Sequence, residues 1–161
     1  MNRLVEDEPQ FAAIAKTDPE LQRAYVRAAE SIPRFIVHLR DRYGDALYSA
    51  KLRFRDPDES ERRGKDQLLY LWLTGIHYYA EDDCFSGVFF EVPAELGPWF
   101  QVGQQHVFEA EDIFDWMMLD HGHLHGGFTL RVMREKLPEG ERAAYDQFIG
   151  VSIYEPLTTM P

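Results

Sequence analysis

The chain has 161 residues, the usual size of one domain, and its 45% hydrophobic and 14% aromatic content supplies a folded core rather than a disordered segment. Its 17 Lys and Arg against 28 Asp and Glu leave a formal charge of −11, which repels phosphate backbones and anionic lipids and argues against nucleic acid or membrane surfaces as partners. The same field draws in basic proteins and raises their rate of encounter.

Cys84 is the single cysteine, so no internal disulfide forms, as suits a reducing cytoplasm. It follows Glu81-Asp82-Asp83, carboxylates that disfavour a thiolate. The opening residues MNRLVEDEPQ carry no apolar leader, and the most apolar stretch, 68–79, is too short to span a bilayer. A cytoplasmic protein is expected.

In chain order, Asp18 and Pro19 predict a helix start, with Leu21, Tyr25, Ala28 and Ile32 at helical spacing. Pro33 opens a second helix with Phe35 and Leu39 on one face and Gly44 as its stop. The period then changes to two: Tyr48, Ala50, Leu52 and Phe54 alternate with Ser49, Lys51, Arg53 and Arg55, the mark of a half-buried strand. DPDESERRGKD (56–66) reads as a polar loop. Strands follow in QLLYLWLTGIHYY (67–79), in FSGVFFEVP (85–93) and in QHVFEA (105–110). Short connections make these an antiparallel meander, which needs a helical layer on one face.

Residues 111–128 predict a hairpin in which Met117, Leu119 and Leu124 share a face and His121-Gly122 makes the two-residue turn. Gly126-Gly127 breaks the strand, and FTLRVMREKL (128–137) favours a helix with Leu130, Met133 and Leu137 inward. A last helix stops at Gly150, and the tail after it can add a short strand before Pro156. The fold class is α+β: a central twisted antiparallel sheet, meander plus hairpin, packed by N-terminal and C-terminal helices.

The segment DWMMLDHGHLHGGFTLRVMREKL (115–137) carries a signature in Asp115, Trp116, Met117, Asp120, Gly122, Gly126, Gly127, Phe128, Thr129 and Arg131. In these residues the chain resembles a bacterial family known as domain of unknown function 2314, the YegJ-like proteins. The strands around AKLRFRD, LWL and FSGVFFEVP fit the same pattern, with Glu91 in place of an expected asparagine. The likeness spans roughly residues 33 to 148. It implies a family-like α+β domain there, an N-terminal helical extension over 1–32 and a tail over 149–161. It implies no activity, since the family has none established, and His121, His123 and His125 stand where the family usually has other residues.

Two sets of side chains are candidates for chemistry. His121, His123 and His125 form an H-x-H-x-H run, and on a strand the last two share a face. Together with Asp115 or Asp120 they resemble part of a zinc or nickel ligand set; the competing reading is the outer face of a hairpin, binding such metals only adventitiously. Asp115, Trp116, Thr129 and Arg131 sit where a Gly-Gly break opens a helix, a place that favours anions. Either they bind a small carboxylate or phosphate, or Thr129 or Asp115 caps the helix and Asp115 pairs with Arg131. No G-x-S-x-G elbow surrounds Ser86, and no phosphate loop or H-E-x-x-H occurs. No catalytic set and no required cofactor are therefore expected. The expectation is a non-enzymatic module that binds a basic protein, for example an immunity-like protein neutralising a basic toxin. The acids of Glu81-Asp82-Asp83 and of 109–112 would imitate the toxin's anionic substrate. The rival reading is a small-ligand or metal-dependent enzyme centred on Asp115, Arg131 and the histidines.

Overall fold

The computed structural model describes residues 18–42 and 44–157. Its elements are α1 (Pro19–Glu30), α2 (Ile32–Arg40), β1 (Leu47–Arg55), α3 (Pro57–Arg63), β2 (Leu68–Tyr79), β3 (Cys84–Phe89), β4 (Gln105–Phe108), β5 (Ile113–Asp120), β6 (His123–Gly126), α4 (Phe128–Lys136), α5 (Arg142–Ile149) and β7 (Ile153–Tyr154), with three short 3-10 turns. The described strands form one sheet in the order β4-β3-β2-β1-β5-β6-β7. Every neighbouring pair is antiparallel except β6 and β7, which run parallel. The fold is thus α+β, as the alternation and the short connections require.

Helix α1 begins as the sequence dictates. The Asp18 carboxylate accepts the N–H groups of Glu20 at 2.8 Å and Leu21 at 3.2 Å. Its buried face is Leu21, Ala24 and Ala28. Strand β6 pairs with residues 117–120 of β5 and with β7, and α1 packs against β5 and α4. The expected 1–32 extension is in its described part this helix, seated in the core; residues 1–17 and 158–161 lie outside the described residues. Helix α2 lays Phe35 on the sheet, stacked between Trp116 at 5.0 Å and Phe85 at 6.2 Å. It ends at Arg40 with Asp41 as cap, short of the expected Gly44. Arg42 is turned back to the sheet instead, donating to the Ile76 carbonyl at 2.8 Å and lying over the Tyr48 ring.

Residues 57–63 correct the expected loop: they form α3. Asp56 caps it through the Glu59 N–H at 3.1 Å, Pro57 takes the first turn, Glu59 pairs with Arg62 and Arg63, and Gly64 ends it at φ 70. The last helix is stitched to the tail by a network in which Arg134 grips Asp146 at 2.8 and 3.0 Å and Tyr154 donates to the same carboxylate at 2.5 Å. No helix among the described residues is long and apolar enough to cross a membrane.

Candidate functional site

The signature segment folds as a strand, a tight turn, a second strand and a helix. The turn residues His121 and Gly122 take φ 47 and 85, the left-handed pair that a two-residue hairpin needs. Leu119 faces Leu124 across the hairpin, so Met117, Leu119 and Leu124 do share one face. On the other face Trp116 is 1% exposed and its indole N–H donates to Ser31 Oγ at 2.8 Å. Trp116 therefore locks the α1–α2 junction to β5 from inside the core.

Asp115 is fully buried. Its Oδ1 accepts the Trp116 N–H at 2.8 Å and the Phe128 N–H at 3.1 Å; its Oδ2 accepts the Thr129 N–H at 2.8 Å and the Thr129 hydroxyl at 2.5 Å. The first turn of α4 is capped by the protein's own Asp115 carboxyl group, brought from β5. Burial pushes the Asp115 carboxyl up from its usual range, while the two Thr129 bonds and the charge of Lys51 pull it down. Lys51 sits opposite Asp115 in the β1–β5 register, 3.4 Å from Thr129 Oγ1 and over the rings of Tyr25 and Tyr70. Burial holds its amine below the usual lysine value.

The expected pair between Asp115 and Arg131 is corrected. Arg131 donates Nε to the Gly126 carbonyl at 2.8 Å and Nη2 to the Leu124 carbonyl at 3.0 Å, and its guanidinium lies over Tyr154. Both carbonyls belong to β6, so Arg131 ties α4 to β6 while Asp115 ties α4 to β5. Of the anion-binding residues read from the sequence, Asp115, Thr129 and Trp116 converge in the interior. Cavities of about 340 Å³ and 200 Å³ lie beside them, and Phe128 rather than Asp115 or Thr129 lines both.

The three histidines have different partners, although His123 and His125 both feel Glu155. His121 Nδ1 is 2.8 Å from Asp120 Oδ1, and that hydrogen bond raises its imidazole above the usual value. His123 Nδ1 is 2.7 Å from Glu155 Oε1, past β7. His125 faces His38 of α2, ring centroids 5.2 Å apart, and His38 faces Trp116 at 5.9 Å. Burial lowers both His38 and His125 from the usual imidazole value. Among the described residues no group of three or more His, Cys, Asp or Glu is placed to hold a metal ion. Cys84 is a free, half-buried thiol at the start of β3.

A different cluster forms at the opposite edge of the sheet. Strands β3 and β4 pair from Phe85–Phe108 to Val88–Gln105, which brings the turn before β3 beside the turn after β4. Asp83 is thereby close enough to raise the Glu109 carboxyl, although the larger cause is a hydrogen bond from Glu109 to Glu111 that raises the first and lowers the second. Glu81, Asp82, Asp83, Glu109, Glu111 and Asp112 are all exposed at this corner. Asp112 Oδ2 accepts the Glu109 N–H at 2.9 Å, and Tyr78 donates to Asp83 at 2.7 Å, so several of these acids are held in place. At the other end of β3, Phe100 of the Pro98-Trp99-Phe100 loop packs on Phe89 at 4.8 Å while Trp99 is 40% exposed.

The fold and the signature define a class: a single-sheet α+β module in which, in this chain, Asp115, Thr129 and Arg131 fasten β5, β6 and α4 together. The chain belongs to the family described as "Uncharacterized protein conserved in bacteria", domain of unknown function 2314, whose pattern matches residues 18–153. That span takes in α1 as well as the signature hairpin. A protein of Neisseria meningitidis serogroup B (strain ATCC BAA-335 / MC58), provisionally named an ankyrin repeat protein, is 28% identical over 149 residues. The match covers 89% of this chain and 56% of that protein, so the chain spans little more than half of its relative. No solved structure matches.

Proposed function

We propose that the chain is a non-catalytic, cytoplasmic protein-binding module that receives a basic protein on the corner built by Glu81–Asp83 and Glu109–Asp112. The carrying observation is the meeting of these two acidic stretches, which are distant in sequence and adjacent across β3 and β4. Like charges held together raise one another's carboxyl pKa; an incoming Lys or Arg relieves that repulsion and gains charge-assisted hydrogen bonds. The net charge of −11 speeds the approach of such a partner. An immunity-like role follows in its simplest form, with the corner imitating the anionic substrate of a basic toxin. The name of the Neisseria relative supports a binding role, since stacked repeats build extended binding surfaces.

The test is capture from native lysate on the immobilised full chain, in low and high salt. The expected result is one or more basic proteins retained at low salt and released by salt. A variant with Glu81, Asp83, Glu109 and Glu111 changed to lysine should retain none of them. Equal capture by wild type and variant, or no capture at low salt, would refute the proposal.

A further inference from the structure

The chain is strongly acidic, yet the cavity of about 340 Å³ between α1 and α4 faces three arginines: Arg23, Arg27 and Arg131. Arg23 and Arg27 are one helical turn apart, on the same side of α1, and both are exposed. Neither makes an ion pair with another described residue; Arg27 rests instead over the Phe128 ring at 5.7 Å. Arg131 is half-buried, and the charge of Arg27 adds to the burial that lowers its guanidinium. Like charges thus meet at one side of this cavity, with Glu20 and Glu135 also in its lining.

The two carboxylates at the rim have other partners. Glu20 is 3.8 Å from Lys136, and Glu135 is 4.0 Å from Arg142. The floor is apolar, made by Phe128, Val132 and Leu157. Phe128 and Leu157 continue into the second cavity of about 200 Å³, which His38 and Trp116 close. An apolar floor with convergent cations above it is the usual construction of a small-ligand site, and its size is in the small-molecule range.

We infer that the α1–α4 groove binds a monocarboxylate carried on an apolar body, its carboxylate between Arg27 and Arg23 and its ring or chain against Phe128, Val132 and Leu157. A guanidinium forks onto a carboxylate with two parallel N–H bonds, which an isosteric amide cannot fully accept. The same chemistry is offered by a free organic acid and by the terminal carboxylate of a peptide ending in an apolar residue. This site is separate from the acidic corner and stands whether or not that corner binds a protein.

The experiment is a calorimetric and amide-NMR titration of the full chain with 4-phenylbutyrate and, in parallel, with 4-phenylbutanamide. The acid should bind about tenfold or more tightly than the amide, with shifts confined to α1, α4 and the Leu157 segment. Arg23→Gln/Arg27→Gln, whose side chains are exposed, should melt like wild type and bind the acid no better than the amide. Val132→Trp, which fills the floor, should weaken both. Acetyl-Gly-Gly-Phe as acid and as amide supplies the peptide arm: preference for its acid over phenylbutyrate assigns the groove to a chain terminus, and the reverse to a free acid. Acid and amide binding within twofold of each other, undiminished acid binding by the folded double variant, or no saturation by about 10 mM, well above the ~1 mM expected for a ligand of that size, would overturn the inference.

Discussion

Thr129 donates twice to Asp115, from its backbone N–H at 2.8 Å and from its hydroxyl at 2.5 Å, both to Oδ2. One carboxylate thus holds the first turn of α4 on the strand that precedes the hairpin. Asp115→Ala removes the acceptor of three N–H groups and a hydroxyl in a dry interior and is expected to cost about 3 kcal/mol or more. Asp115→Asn, which keeps one acceptor, should cost about 2 kcal/mol, and Thr129→Val about 1 kcal/mol. Urea unfolding at neutral pH reads all three, and a loss below about 0.5 kcal/mol for Asp115→Ala would contradict this fastening role.

The hairpin exit depends on glycine for two different reasons. At Gly126 φ is +72 and an added Cβ would stand 2.5 Å from the Trp116 carbonyl oxygen and 2.8 Å from its ring. At Gly127 φ is +65, and the nearest atom is a Leu124 methyl at 2.8 Å, which can give way. At Gly64 φ is +70, with nothing within 4 Å. Alanine should therefore be worst at 126, at about 3 kcal/mol or more, intermediate at 127, and near 1 kcal/mol at 64. Melting temperatures of the three variants give the order directly.

His38 and His125 make stability depend on pH. Both imidazoles are held below 6.5, first by burial and then, for His38, by the positive charge of His125. Arg34 disfavours protonation of His38 and Arg131 that of His125, while Asp41, Asp120 and Glu155 oppose them. A depressed histidine binds fewer protons when folded than when unfolded. Its stabilising effect is whole above 6.5 and is lost as pH falls toward the folded value. The melting temperature should drop between about pH 7.5 and 5.5, and His38→Asn/His125→Asn should flatten that slope. His77 and His106, also depressed, keep part of it in the variant. A slope unchanged by the double substitution would assign the effect elsewhere.

At the acidic corner the sign is opposite for neutralisation. Glu109 carries a raised carboxyl, first through its hydrogen bond with Glu111 and then because the charges of Glu111, Asp112 and Asp83 crowd it. Glu111→Gln removes one of those charges. It should raise the melting temperature at low ionic strength, and the gain should vanish near 1 M salt, where screening acts within about 3 Å. A gain that persists in high salt would point to packing rather than charge.

The strands, the hairpin turn and most helices were legible because each is encoded by neighbours. Alternation along Tyr48–Phe54 marks β1, and Asp18-Pro19 marks α1. Helix α3 was missed although its caps, Asp56 and Gly64, are plain in the sequence: only Ser60 is buried, so no apolar period announces it. At the candidate site the sequence places Asp115, Thr129 and Arg131 close together, and the tertiary structure decides their partners: Asp115 takes Thr129, and Arg131 serves carbonyls of β6. Lys51 and His38 carried no local signal at all, since each acquires its role from a partner on another element.

By itself the sequence determined the local conformations, the α+β class and the acidity, because propensity, capping and hydrophobic period act over a few residues. The tertiary structure alone decided which charges meet. The β3–β4 register joins Asp83 to Glu109, and the packing of α1 against α4 sets Arg27 near Arg131. Those contacts follow from strand order and helix placement, which a linear pattern of polar and apolar residues does not contain.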